Sequence, residues 1–261
     1  MIRFLKEILF FLDVRTTLML QIKKAFKASW NWDLIFRLFF IEIIAVAGFL
    51  PLLVLEEPSL SVAIIGILIG IVFSLIAYGY LINVSGSYAR NKGLPLLKNI
   101  PDLFIKGFLA IIITLAYFIV FAVPFALLGY LLYLIMGELS FAIIILLLAL
   151  PISILFGLFS NSAVIRYAKY EKFSAAFSKE VFTRALTTSF VAAFFIYAGI
   201  QIGFNGFFKL IELSSDYYPF AVYLIFFLIF FLIEVPLSVS SFALFGQAYS
   251  DKLQKVKRRT R

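Results

Sequence analysis

Four polar side chains stand inside otherwise apolar runs: Glu42, Gln201, Asn205 and Glu234. A carboxyl group surrounded by hydrocarbon either carries proton or ion traffic or stays neutral and donates one interhelical hydrogen bond. With two such acids and no histidine anywhere, a proton relay lacks its usual members, and the structural use leads for both. Glu42 also has Arg37 within reach of a lean toward it. Gln201 and Asn205, four apart, form one polar stripe beside Gly199-x-x-x-Gly203, a pattern suited to close helix packing and interhelical hydrogen bonds. The alternative is a stripe lining a solute path. Gly66-x-x-x-Gly70 has the same spacing. The absence of cysteine and histidine removes thiol chemistry, the commonest general base and the commonest metal ligand. No nucleophile–base set is visible, so neither enzymatic activity nor a cofactor is expected.

The elements that position these residues follow from composition. Of 261 residues, 64% are hydrophobic and 14% charged, and the mean hydropathy is +1.08. Such a chain has lipid as its solvent. Six apolar runs, near Leu34–Leu55, Leu60–Val84, Leu103–Leu132, Ser140–Val164, Ala185–Phe208 and Phe220–Phe245, are each long enough to cross a hydrocarbon core of ~30 Å. Lipid leaves exposed backbone unsatisfied, so each is expected to be a helix. Pro51, Pro124, Pro151 and Pro236 are expected to kink these helices or mark irregular ends. Ahead of them, Leu5, Ile8, Leu9 and Leu12 fall at helical spacing, with Arg3, Lys6, Glu7 and Asp13 on other faces. That pattern predicts an amphipathic helix lying in the membrane interface within an N-terminal segment 1–32, followed by a transmembrane domain 33–250 and a basic tail 251–261.

Charge sets the orientation. Seven Lys and Arg lie between Arg3 and Arg37, four between Arg90 and Lys106, five between Arg166 and Arg184 and six from Lys252 onward; Lys209 alone falls on the other side. Both termini are therefore expected in the cytoplasm of a plasma-membrane protein. The net charge of +9 is a topology signal, and no nucleic-acid partner is expected because no soluble base-reading surface exists. The expected partners are the bilayer, anionic headgroups on the cytoplasmic side and other membrane subunits.

The charges also recur in register. Tyr88-Ala89-Arg90, Tyr167-Ala168-Lys169 and Tyr249-Ser250-Asp251 close the even-numbered runs about 80 residues apart. Asp33–Arg37, Asp102–Lys106 and Glu180–Arg184 open the odd-numbered ones, each an acid followed four residues later by a base. An acid in a first helical turn satisfies orphan amides and the helix dipole, and the base pairs with it. Three hairpins entering from one side, residues 33–92, 102–172 and 180–252, are expected to be parallel repeats. Three parallel hairpins also occur in mitochondrial-type carriers, whose proline-acid-base signature is missing here.

The segment Gly79-Tyr-Leu-Ile-Asn-Val-Ser-Gly-Ser-Tyr-Ala-Arg-Asn-Lys-Gly-Leu-Pro-Leu96, then Pro101-Asp-Leu-Phe-Ile-Lys-Gly-Phe108, resembles a family of archaeal and bacterial multi-pass proteins defined only as a domain of unknown function, number four thousand and thirteen. Arg166-Tyr-Ala-Lys-Tyr-Glu-Lys-Phe-Ser-Ala-Ala-Phe177 is similar to that family's second cytoplasmic connector. The tryptophan and acidic run usual before the Asp-Leu-Phe are replaced here by Leu97-Lys-Asn-Ile. The resemblance implies a fold and no activity. Gly86-Ser-Tyr-Ala-Arg90 is also similar to the core of CDP-alcohol phosphotransferases, but the aspartates that hold metals there are missing.

The sequence thus predicts an all-α integral membrane bundle of six spans. Its expected role is that of a non-enzymatic scaffold or accessory subunit. The alternative is a permease or channel for an anion or small polar solute, loosely similar in hairpin plan to the sulfate permeases of cysteine biosynthesis.

Overall fold

In the computed structural model the described residues are 22–27, 29–54, 59–136, 138–213 and 220–250; they are helices joined by short turns, with no strand among them. The helices are α1 (Trp32–Val54), α2 (Leu60–Ala89), α3 (Ile100–Met136), α4 (Glu138–Tyr170), α5 (Glu180–Ala185), α6 (Thr188–Leu213) and α7 (Phe220–Ala248), with a 3₁₀ turn at Phe173–Phe177. The expected interfacial helix around Leu5–Leu12, Asp251 and the basic tail lie outside the described residues.

Among the described residues, five helices are long and apolar enough to cross a membrane: Leu60–Ala89, Ile100–Ile135, Ile144–Tyr170, Thr188–Phe207 and Leu228–Ala248. The protein is a helical multi-pass membrane protein. The expected sixth span, α1, is helical but is not among the five. Asp33, Arg37 and Glu42 all fall in its first three turns, and its described side chains end at Phe49. Asn31 caps α1, its side-chain oxygen accepting from the Leu34 amide at 3.4 Å, and Ser59 caps α2. Pro124, Pro151 and Pro236 sit within continuous helices.

Helix α2 is the axis of the bundle, packed against α1, α3, α4 and α7. Glycine makes each approach possible. A Cβ on Gly79 would lie 1.8 Å from the Leu103 carbonyl oxygen of α3, and one on Gly107 2.1 Å from the Leu75 carbonyl oxygen of α2. On Gly86 it would meet the Ala168 carbonyl of α4 at 2.5 Å, and on Gly246 of α7 the Ser85 carbonyl at 2.2 Å. Gly66 and Gly70 likewise face Gly48 of α1, whose Cβ would lie 2.5 Å from the Gly70 nitrogen. Where lipid is as apolar as leucine, close van der Waals contact of this kind holds helices together.

Gly199 and Gly203 behave differently from that expectation. Among the described residues, no atom beyond its own helix backbone and chain neighbours lies within 4 Å of a Cβ built on either. Phe204 and Phe207 of α6 meet Phe230 of α7 at ring-centroid separations of 4.9 and 6.3 Å, and these rings set the helix spacing.

Packing is uneven along the bundle. Buried residues gather at the end where the basic connectors lie: Leu75 to Ala89 on α2, Leu158 to Ala168 on α4 and Val235 to Ala248 on α7. Toward the other end α2, α3 and α4 expose large apolar side chains, among them Leu60, Leu68, Leu134 and Leu146.

A second correction concerns Glu180–Arg184, expected as the first turn of the fifth span. It belongs to α5, a separate six-residue helix. The Thr187 amide and hydroxyl both donate to the Arg184 carbonyl, at 3.1 and 2.8 Å, which ends α5 before α6 begins at Thr188.

Candidate functional site

Polar side chains collect in two places. The first is the connector end, and it begins with the way α2 stops. Asn91 takes a left-handed φ of 62°, the Lys92 amide donates to the Ser87 carbonyl and the Asn91 amide to the Tyr88 carbonyl, both at 2.9 Å. This is a Schellman stop, with asparagine where glycine is commonest. It aims Arg90 across the bundle at the end of α4. There its Nη1 donates to the carbonyls of Ala168, at 2.7 Å, and Lys169, at 3.1 Å, and lies 3.2 Å from Glu171. A cation thus satisfies last-turn carbonyls that have no partner within their own helix and sits at the negative end of its dipole.

Glu171 is itself the left-handed residue that ends α4, with φ 55° and its amide donating to the Tyr167 carbonyl at 2.7 Å. It is shared by Lys106 at 3.8 Å, whose ammonium also pairs with Asp102 at 2.8 Å and donates to Asn83 at 3.3 Å. Tyr167 is buried close to both Asp102 and Glu171. Arg166 bonds Glu180. The Arg184 guanidinium lies 5.6 Å from the centre of the Tyr249 ring and the Lys169 ammonium 5.9 Å from it. Tyr249 is 1% exposed, and burial pushes its hydroxyl above its ordinary range. That hydroxyl has Arg166 and Ser162 beside it but no well-aligned hydrogen bond. Tyr88 is half-buried, its Cβ against Gly246.

The 171–187 connector is part of this end rather than a solvated loop. The Tyr117 hydroxyl of α3 donates to the Ala176 carbonyl at 2.8 Å, and the Ser162 hydroxyl of α4 to the Val181 carbonyl at 2.9 Å. Phe177 stacks on Tyr117 and Phe182 packs edge-on to Phe159, while Ala176, Val181 and Ala185 are fully buried. By contrast Asp33–Arg37 is an exposed pair at 3.1 Å, the kind that contributes little.

The second place is within the bundle. Glu42 of α1 and Glu234 of α7 lie close enough for their charges to interact. Tyr197 of α6 is near enough to Glu234, and Tyr78 of α2 to Tyr197, for their charges to interact, and Thr114 of α3 lies beside Tyr78 on the wall of one groove. One oxygen of Glu42 is buried without a hydrogen-bond partner among the described residues, and Arg37 bonds Asp33. Gln201 is half-buried and Asn205 exposed, and neither makes a side-chain hydrogen bond to another described residue. The four intramembrane positions thus separate into two acids on α1 and α7 within electrostatic reach of each other and two residues on α6.

Neither place has the parts of a metal centre: no group of three or more potential ligands occurs among the described residues. Sequence reasoning did not single out Tyr78, Thr114 and Tyr197, which stand in apolar runs with nothing to mark them. It also missed Glu171 and Arg166 as hubs, and the serines of α7, of which Ser240 lies 2.5 Å from Ser29.

Helices joined by backbone-close glycine contacts and closed at one end by a charged layer define a multi-pass membrane protein whose first recognisable feature is its connectors. The chain belongs to the family described as "Protein of unknown function (DUF4013)", whose model matches residues 62–213, from the start of α2 to the end of α6. No curated protein and no solved structure is significantly similar to it.

Proposed function

We infer that this protein is a non-enzymatic membrane scaffold or accessory subunit of a membrane complex. One observation carries the reading: the middle of the bundle is occupied by α2, in backbone contact with α3, α4 and α7 through Gly79, Gly86, Gly107 and Gly246. A solute path along that axis has to part contacts that leave no room for a single methyl group. The large apolar side chains exposed at the far end suit lipid or a partner's helices.

The finer plan belongs to the same reading: six spans in three parallel hairpins, with the charged end and both termini in the cytoplasm of the plasma membrane. Arg90 of the first hairpin meeting Ala168 and Lys169 of the second supports it, as does Lys169 lying over Tyr249 of the third. The N-terminal amphipathic helix and the basic connectors bind anionic headgroups in this view. Because the chain has no cysteine, single cysteines at Lys92, Lys172 and Lys209 report orientation directly. The first two react with an impermeant thiol reagent only from the cytoplasmic side, and the third only from outside.

The decisive test is purification from native membranes in mild detergent with intact-complex mass measurement. A foreign subunit in fixed proportion is the expected result. A protein that purifies alone and moves a solute across liposomes overturns it. That outcome would favour a permease or channel for an anion or small polar solute, a second reading that rests on Glu42 and Glu234 lying within electrostatic reach of each other inside the bundle. Its mark would be loss of flux in Glu42→Gln and Glu234→Gln.

A further inference from the structure

A groove of about 610 Å³ runs between α1, α2, α3 and α4, within the size range of small-ligand sites. Its walls are apolar apart from three hydroxyl side chains, Ser74, Tyr78 and Thr114, and none of its described lining residues is charged. Thr114 lies eight residues beyond Lys106 on α3 and Tyr78 twelve before Arg90 on α2, or about 12 and 18 Å from the charged layer along the helices. The hydroxyls are therefore in the hydrocarbon zone. The groove opens sideways to the bilayer, for Leu115 and Phe118 on its edge are 54% and 53% exposed.

An acyl chain filling this groove would offer these hydroxyls no hydrogen-bond partner, a poor arrangement where no water competes. Tyr78 and Thr114 lie together on the groove wall, and each hydroxyl has a lone pair and a proton to offer. A ligand with an alcohol head both donates and accepts there, and its apolar body follows Ile71, Leu115 and Phe118. A charged headgroup finds no counter-ion. We propose that this groove is a binding site for an uncharged, hydroxyl-bearing lipid, its head between Ser74, Tyr78 and Thr114.

The molecule contains its own control. A groove of about 440 Å³ between α6 and α7 is lined by Gly199, Gly203, Phe204, Phe230 and other apolar residues, with no hydroxyl among its described lining residues. It offers the same lipid-facing concavity without the recognition chemistry.

The test uses the full chain in lipid nanodiscs and a fifteen-carbon isoprenoid alcohol carrying a diazirine for photolabelling. Labelling is expected on Leu115 and Phe118. Unlabelled alcohol is expected to compete on the order of tenfold better than the matched hydrocarbon, the ratio one or two hydrogen bonds supply. Tyr78→Phe with Thr114→Val, which keep the shape, should erase that ratio, and Leu115→Trp should block labelling by filling the groove. Equal competition by alcohol and hydrocarbon, labelling divided evenly between the two grooves, or no labelling at all would overturn the proposal. Should the variants fail to fold, the alcohol–hydrocarbon ratio on the unaltered chain still decides.

Discussion

Along α2 the same helix is two materials. From Leu60 to Ser74 its apolar side chains point outward, with Leu60 77% and Leu68 57% exposed, and Gly66 and Gly70 are its buried positions, facing α1. From Leu75 to Ala89 almost every residue is buried, and small ones recur: Gly79, Ser85, Gly86, Ser87, Ala89. The first half is built as a lipid-facing helix is, bulky on the outside. The second is built as a helix with four neighbours must be, thin enough for backbones to touch. The difference locates specificity. Lipid offers apolar contact everywhere at equal value, so bulky residues at the far end say little about which helix neighbours which. Contacts through missing side chains, and carbonyls held by Arg90, are made only in one arrangement.

The largest test of this contrast is a paired substitution. Gly79→Leu should destabilise the protein by about 3 kcal/mol or more, because its side chain has only the α3 backbone to displace. Gly203→Leu, with open space around it, should stay within about 0.5 kcal/mol. Denaturant titration in mixed micelles reads both. Equal effects would dissolve the distinction between the two ends.

Next in size is the charge layer. Arg90→Met keeps the stem but removes the bonds to Ala168 and Lys169, leaving carbonyls of the α4 terminus unsatisfied in a half-buried site. A loss of about 2 kcal/mol is expected. Arg37→Met breaks an ion pair of similar length on the exposed side of α1 and should cost less than about 0.5 kcal/mol. A similar cost for both would mean that burial does not set the value of these pairs.

These pairs also show what could be read from the chain. Apolar runs gave away the helices because a bilayer imposes length and hydropathy directly. They gave the ends poorly: α2 and α4 continue to Ala89 and Tyr170, past the apolar runs, because Gly86–Ala89 and Arg166–Lys169 are packed against protein, where polarity does not forbid a helix. Gly66-x-x-x-Gly70 and Gly199-x-x-x-Gly203 are identical as patterns and opposite in use. The pattern describes one helix, while close approach needs a second thin surface, and Gly48 supplies it only to the first. The separation of α5 was hidden for a related reason. An acid and a base four apart fit a short helix as well as the start of a long one, and the break depends on Thr187 turning back on Arg184. That Glu42 and Glu234 come within electrostatic reach was beyond sequence altogether, since it requires knowing that α1 and α7 are neighbours.

A smaller effect tests whether the 171–187 connector belongs to the packed end. Tyr117→Phe and Ser162→Ala each remove one bond that ties it to α3 or α4, and each should cost about 1 kcal/mol. The readout is local: amide exchange at Ala176 to Ala185 should quicken while α2 is unaffected. Uniform quickening across the bundle would show that the connector does not open on its own.

The smallest effect concerns the turn that aims Arg90. Asn91 sits at φ 62°, where a Cβ crowds the following carbonyl and only glycine is free of strain. Asparagine tolerates the region better than alanine, so Asn91→Ala should cost about 1 kcal/mol, while Asn91→Gly should lie within about 0.5 kcal/mol of the parent or slightly above it. The order glycine, asparagine, alanine matters more than the sizes, because it is the order of a left-handed helix stop. If alanine were as stable as glycine, the backbone at Asn91 would not be left-handed, and Arg90 would be reaching the end of α4 by some route other than the turn described here.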